Sequence, residues 1–360
     1  MPEPDGERAG PVLVVGVGLL GTSVGLALTR AGRDVRLLDP HPEHVRTASG
    51  LGAGRAAKDG DPEPALVVVA CPPDALGGVI AEQLLAHPDA VVTDVGSVKT
   101  APLAALASRV DRAAGARYVG SHPMAGSERS GPLAASATLF EGRPWAVTPH
   151  GGSAPDAVAA VVDLAETCGA VTVTMSPGEH DLAVARTSHL PHLMAVLVAG
   201  RLADAPRDQL ALSGQGVRDV TRVAGGDPSL WQQIVGANAP AVADLLREVR
   251  TDLDGLIGAV ESGAPLAPVL DRGVAGVRAI PGKHGGPPAE TSLVVVAVPD
   301  HPGELARLFA DAGEIGVNIE DVRIDHDPGR PVGRVELTVT AAHAVVLRHA
   351  LGERGWETQR

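Results

Sequence analysis

His122 stands in GSHPMAGSE, Gly120 to Glu128, among residues too small to pack around it. A histidine presented in this way suits proton transfer, because its ordinary pKa of ~6.5 lets it act as a base near neutral pH. The rate of a reaction that uses it should therefore rise with pH through that region. Two further stretches place polar groups beside apolar runs. DVGSVK, Asp94 to Lys99, carries Ser97, whose hydroxyl is the expected partner that orients His122. EHDLAVARTSHLPH, Glu179 to His192, carries His180, His189 and His192. No HExxH or CxxC accompanies these histidines, so no metal is expected.

A second chemistry lies near the start. Gly16, Gly18 and Gly21 spell G-x-G-x-x-G directly after the apolar run Val12–Val15, with Leu19 and Leu20 opening a helical pattern. In that context Gly16 makes the tight turn, Gly18 admits a pyrophosphate, and Gly21 lets the helix pack close to the sheet. The helix N-terminus then meets the phosphates. Asp39 ends the next strand, 23 residues after Gly16, where a carboxylate accepts the adenosine ribose hydroxyls and repels a 2′-phosphate. The expected cofactor is NAD rather than NADP. Cys71 and Pro72 follow the third strand, at the same sheet edge.

These groups need a sheet to bring them together. Short apolar runs at 12–15, 35–38, 66–70, 91–94, 118–120, 145–148 and 171–174 alternate with helical patterns. This predicts βαβ units and a mostly parallel, doubly wound α/β sheet with ligands at its carboxyl edge. Helices are predicted over 180–203, 207–223, 228–235 and 240–261. The last carries a 3.6-period stripe of Val242, Leu245, Leu246, Val249, Leu253, Leu256 and Ile257. So much apolar surface on so little chain predicts a homodimer built on these helices. PGKHGGPP, 281–288, reads as a linker. Beyond it, strand and helix patterns give most of a βαββαβ unit, in which Gly303 opens a helix and Asn318 stands in the start of the next strand, 317–324, beside it. The expected domains are 1–178, 179–280 and 290–360, with the linker at 281–289.

The 360 residues carry a net charge of −13 and are 44% hydrophobic and 20% charged. That composition is globular, and its acidity argues against nucleic acid and anionic membranes as partners. The two cysteines, Cys71 and Cys168, read as reduced thiols. The N-terminal MPEPDGERAG has no signal-peptide pattern, and no unbroken apolar run approaches membrane-spanning length, so a cytoplasmic location is expected.

The motifs GVGLLGTSVG, DVGSVK, GSHPMAGSERSG, SHLPH and GVRDVTRVAGGDPSLW occur in an order that resembles the TyrA family of prephenate and arogenate dehydrogenases, over about residues 11–260. The resemblance implies NAD-dependent oxidative decarboxylation of prephenate to 4-hydroxyphenylpyruvate in tyrosine biosynthesis. It implies that His122 accepts the proton of the substrate's C4 hydroxyl, that Ser97 orients it, and that Arg222 holds a substrate carboxylate. It also implies that His192 lies near the substrate side chain, that Ser127 and Glu128 line the pocket, and that His180, His189 and Asp219 form a polar network beside it. The C-terminal VPDHPGELARLFADAGEIGVNIEDV resembles an ACT domain, which implies an amino-acid ligand near Asp300, Gly303 and Asn318. Tyrosine, the pathway's product, is the expected feedback inhibitor. Arogenate in place of prephenate, a β-hydroxyacid dehydrogenase, and a non-catalytic amino-acid sensor remain as alternatives.

Overall fold

The computed structural model describes residues 10–126, 130–281, 290–326 and 332–359. Ser127 and Glu128 lie outside the described residues. The chain divides into two compact units, Met1–Gly255 and Leu256–Arg360. The division falls between Gly255 and Leu256, within the predicted helical stretch 179–280.

The first unit opens with β1 (Val12–Val15), α1 (Leu19–Arg30), β2 (Val35–Leu38), α2 (Pro42–Gly50), β3 (Arg55–Ala56), β4 (Leu66–Val69), α3 (Pro73–Ala86) and β5 (Val91–Asp94). These strands form a parallel sheet in the order β3-β2-β1-β4-β5. Side chains of β1 alternate between two cores. Val12 and Val14 join Val24 and Leu28 of α1, whereas Leu13 and Val15 join Leu76, Ile80 and Leu84 of α3. Burial on both faces is why β1 and β4 read as unbroken apolar runs. The order reverses between β1 and β4, which makes their carboxyl ends the ligand crevice.

After α4 (Thr100–Leu106) and α5 (Arg112–Ala116), the chain builds a second sheet from β6 (Gly120–Pro123), β7 (Pro144–Thr148) and β8 (Val171–Thr174), with α6 (Pro155–Thr167) between the last two. The order is β6-β7-β8, and β6 runs antiparallel to β7. A mostly parallel sheet was expected, with a strand over 118–120. Tyr118 instead makes a single bridge to Val92, and the strand begins at Gly120.

Helices follow. Ser176 caps α7 (Pro177–Val184) reciprocally with Glu179, in a capping box with Pro177 at the first helical position. A π-helical turn over Ala185–His189 leads into α8 (Leu190–Gly200). Pro191 lacks the N–H that an unbroken α-helix would use here, which accounts for the irregular turn. The run 177–200 has the length and mean hydropathy of a membrane span. It nonetheless buries His180, Asp181, His189 and His192, all part of the cluster described below. The predicted helix 207–223 is broken into α9 (Arg207–Leu210), α10 (Gln215–Thr221) and a 3₁₀ turn Arg222–Gly225. Asp227 caps α11 (Pro228–Ala237), and α12 (Ala239–Ser262) follows.

In the second unit, α13 (Ala267–Arg278) precedes β9 (Thr291–Pro299), α14 (Glu304–Ile315), β10 (Asp321–His326), β11 (Val332–Thr340), α15 (Ala341–Glu353) and β12 (Glu357–Gln359). This completes the βαββαβ unit as an antiparallel sheet ordered β10-β11-β9-β12. Gly303 caps α14 in the left-handed region, φ 97°. Asp300 and Gly303 lie at the end of β9, whereas Asn318 lies at the start of β10, and the register puts those at opposite ends of the sheet. The 12-residue α14 runs between them, a length of about 18 Å at the usual rise per residue. The expected single pocket from these residues is therefore not formed within one copy. Asn318 donates to Glu320 Oε1 at 2.8 Å instead.

Candidate active site

The glycine turn has the geometry its motif requires. Gly16 sits at φ 92°, and a Cβ there would come within 2.5 Å of the Ala70 carbonyl oxygen. A Cβ on Gly21 would lie 1.9 Å from the Gly16 carbonyl oxygen, so the helix can start this close only without one. Gly18 faces open space, the room a pyrophosphate needs. Leu19 and Leu20 begin α1 beside it, and Cys71 and Pro72 follow β4 across the crevice. Burial pushes the Cys71 thiol up to about 12, which makes it inert at neutral pH. Asp39 Oδ2 accepts the Val17 N–H at 2.8 Å, which fixes the carboxylate at the end of β2. Burial opposes its charge, but hydrogen bonds from Val17 and His41 outweigh burial and hold the carboxyl below the usual range.

At the next edge position β5 ends at Asp94, and β6 is fastened to it. Ser121 Oγ donates to the Asp94 carbonyl at 2.8 Å and accepts from Thr93 Oγ1 at 3.1 Å. Beneath lies a closed polar cluster. Lys99 Nζ, fully buried, donates to Asp94 Oδ2 and, at 2.6 Å, to the Ser121 carbonyl. The Tyr118 hydroxyl donates to Asp94 Oδ1 at 2.8 Å. Burial pushes Lys99 down against the pull of Asp94, and it pushes Tyr118 well above its ordinary value. A Cβ on Gly120 would meet Thr148 Oγ1 at 2.8 Å, the Tyr118 hydroxyl at 3.0 Å and Lys99 Cδ at 3.1 Å. Gly120 thus makes room for this cluster.

These contacts aim β6 so that His122 meets α7. His122 Nδ1 lies 3.0 Å from His180 Nε2, and His180 Nδ1 lies 2.9 Å from Asp181 Oδ1. Asp181 accepts the Lys99 N–H at 2.8 Å, the Thr100 N–H at 2.9 Å and the Thr100 hydroxyl. Those bonds, with the one from His180, outweigh burial and hold its carboxyl below the usual range. An ionised carboxylate only accepts, so His180 Nδ1 carries its proton. The His180 Nε2 lone pair then accepts from His122 Nδ1–H. That leaves the lone pair of His122 on Nε2, free to take a proton. Burial holds the half-buried His122 well below the usual histidine range, and the Lys99 ammonium pushes the same way. The acid limb expected near 6.5 thus moves to lower pH.

Ser97 makes no hydrogen bond to His122 among the described residues; the orienting place belongs to His180. His189 is buried, and Asn238 Nδ2 reaches its Nδ1 at 3.3 Å and the Asp181 carbonyl at 2.8 Å. In a straight helix His180 and His189 would sit about half a turn apart, and one extra residue in the π turn removes about 100° of that. Burial takes His189 down to about 4. His192 stacks on Trp231, with ring centroids 3.5 Å apart and planes 8° apart, and burial lowers its pKa. His189 meets the same indole edge-on at 6.2 Å. His189 Nε2 and His192 Nδ1 are buried without a partner among the described residues. The turn Arg222–Gly225 packs on α8, and Arg222 is exposed with no ion pair among the described residues.

Comparison with known proteins bears on this arrangement. Residues 24–174 match the prephenate dehydrogenase nucleotide-binding domain, and residues 176–265 match the prephenate dehydrogenase dimerization domain. A probable prephenate dehydrogenase of Streptomyces niveus, NovF, is 36% identical over 96% of this chain and 98% of its own. The chain belongs to the prephenate dehydrogenase family. A family structure from Aquifex aeolicus, in complex with hydroxyphenyl propionate and NAD+, is 29% identical with a TM-score of 0.68, covering 76% of this chain and 98% of that one. Synechocystis arogenate dehydrogenase is 26% identical with a TM-score of 0.60, covering 74% and 97%. The cofactor is NAD, as the glycine turn and Asp39 indicate.

Four residues of this site escape a reading of the sequence for chemistry: Asp181, Asn238, Trp231 and Tyr118. Asp181 had one signal, an acid directly after a histidine in EHD. Asn238 and Tyr118 sit in segments with no motif and act only through contacts made on folding.

Proposed function

We propose that the chain oxidatively decarboxylates prephenate to 4-hydroxyphenylpyruvate, with His122 Nε2 as the base. The observation that carries this reading is the His122–His180–Asp181 chain, whose fixed donor order leaves one unprotonated nitrogen at the carboxyl edge of the sheet. NAD+, held by the Gly16–Gly21 turn and by Asp39, supplies the acceptor for the hydride from ring C4. As that hydride leaves, His122 Nε2 takes the C4 hydroxyl proton and the oxygen becomes a carbonyl. The bond from the ring to its carboxylate then breaks to give CO2, and its electron pair makes the ring aromatic. The phenolate formed takes the proton back. Aromatisation drives the C–C cleavage, so the protein need only align the ring and remove one proton.

Arg222 is the group that holds a substrate carboxylate, because its guanidinium is free to pair bidentately with one. His189 and His192 line the side-chain end of the pocket with Trp231. His189 Nδ1 faces the Asn238 amide donor, so its buried Nε2–H is free to donate to a substrate oxygen there, and leaving it unpartnered otherwise costs free energy. Ser97 follows the carboxyl end of β5.

The chain acts as a homodimer. Leu182, Leu197, Leu253, Ile257 and Val260 are exposed on α7, α8 and α12, while the buried cluster of these helices holds only Ala185, Val242 and Leu245. The βαββαβ unit is an ACT-like regulatory module that takes tyrosine. A turnover assay with NAD+ and either prephenate or arogenate tests the activity. Prephenate should be the better substrate by kcat/KM, and turnover of arogenate alone would overturn the reading.

A further inference from the structure

Away from the catalytic cluster, the described residues bring Asp39, His41 and His44 together, each offering a ligand atom within 4.8 Å of the others. We propose that these three side chains bind a divalent cation of the zinc type, and that this ion and NAD+ exclude one another. The second half of the proposal rests on the assignment of Asp39 to the adenosine ribose.

The geometry comes from DPHPEH at the junction of β2 and α2. Asp39 ends the strand crossing, His41 caps α2, Pro42 sets its first helical position, and His44 stands on the first turn. Asp39 Oδ2 is committed to the Val17 N–H, and Oδ1, which accepts the His41 N–H at 2.8 Å, faces both histidines with its remaining lone pair. Oδ1 lies 3.2 Å from His41 Nδ1 and 3.6 Å from His44 Nδ1. Ligands about 2.0–2.1 Å from a tetrahedral ion are about 3.3–3.4 Å from each other. Two edges of such a tetrahedron are therefore already present within a few tenths of an ångström. The two imidazoles are tilted by 45° with centroids 5.1 Å apart, so neither ring blocks the other's nitrogen. His41 is exposed and His44 half-buried, which leaves an entry path and a fourth position for water.

Two imidazoles and one carboxylate suit Zn2+ and Co2+, whereas Mg2+ and Ca2+ prefer all-oxygen sites. The Val17 N–H acts as the outer partner that orients the ligating carboxylate. An ion on Oδ1 draws this carboxylate into a closed set with the histidines, and the ribose hydroxyls need the same carboxylate. Occupancy by one ligand must then exclude the other.

The test uses the tag-free full chain without cofactor. Zn2+ binding is followed by calorimetry, and Co2+ binding by the intense visible bands of a tetrahedral site. Binding should weaken at least about tenfold in His41→Ala and in His44→Ala, a loss no smaller than outer-shell changes typically cause. Saturating NAD+ should remove the Co2+ bands. No bound metal in either measurement, or binding unchanged in both variants, overturns the site. Binding that both variants lose but NAD+ leaves intact upholds the site, and it overturns the mutual exclusion and the assignment of Asp39 to the ribose.

Discussion

His180 touches no part of the substrate in the proposed mechanism, yet its replacement should slow the reaction. His180→Leu keeps the bulk of the ring but removes the acceptor 3.0 Å from His122 Nδ1. The Nδ1–H of His122 then stays buried without a partner, at a cost of about 1–3 kcal/mol. The ring can escape that cost by rotating or by moving its proton to Nε2, and both remove the base. If the whole cost falls on the reactive arrangement, kcat drops by about 5- to 150-fold. KM for prephenate should change little, because Arg222 and the Trp231 end of the pocket are untouched. The pH profile gives the readout that a mere packing defect would not move. His122 works unprotonated, so activity is lost as pH falls through its depressed pKa. Burial, the largest cause of that depression, remains in the variant, while the acceptor on Nδ1 that favours the imidazolium is gone. The acid limb should therefore shift to still lower pH. His180→Gln offers an amide oxygen to His122 and an amide N–H to Asp181, and should recover most of the rate. Initial rates of NADH formation across pH, for the three proteins, decide the matter. A His180→Leu enzyme with normal kcat and an unmoved acid limb would refute the relay.

Four further outcomes are expected. Asp39→Ser should narrow the preference for NAD+, measured as the ratio of kcat/KM with the two cofactors; an unmodified enzyme that uses NADP+ equally well contradicts the role of Asp39. Arg222→Ala removes a charged hydrogen-bond partner, so KM for prephenate should rise by about 10- to 150-fold. An equal loss of NAD+ affinity would instead mark Arg222 as structural. Light scattering at micromolar concentration should find a dimer, and a chain shortened after Gly282 should dimerise as well; an active monomer would defeat the helical interface. Tyrosine should inhibit the full chain, and the shortened chain should keep activity but lose most of that inhibition. Equal inhibition of both would mean that tyrosine competes at the active site.

What could be read from the sequence divides by the range of the interactions involved. The glycine turn is local: Gly16, Gly18 and Gly21 each meet a requirement set within a few residues of chain or by the adjoining strand, so spacing alone revealed it. Strands β1 and β4 are legible for the same reason, since burial on both faces leaves no polar residue in them. The start of β6 is harder. Tyr118 and Val119 look like strand, but Tyr118 is turned into the core to meet Asp94, and pairing with β7 begins only at Gly120. Gly120 shows the limit most plainly. In GSHPMAGSE it resembles space left for a ligand, while its neighbours in the fold are Lys99 and Tyr118. That difference changes how the site is built. A buried lysine, held to the carboxylate of Asp94 and the carbonyl of Ser121, keeps β6 against β5, and its own N–H reaches Asp181 from 82 positions away. The same residue therefore fastens both His122's strand and the acid at the far end of the relay. No spacing rule contains that information, because it exists only once β5, β6 and α7 have met. The His180–Asp181 dipeptide was visible from the start; that it completes a three-member chain with His122 depended on the capping box at Ser176, which phases α7, and on the small residue that lets Lys99 in.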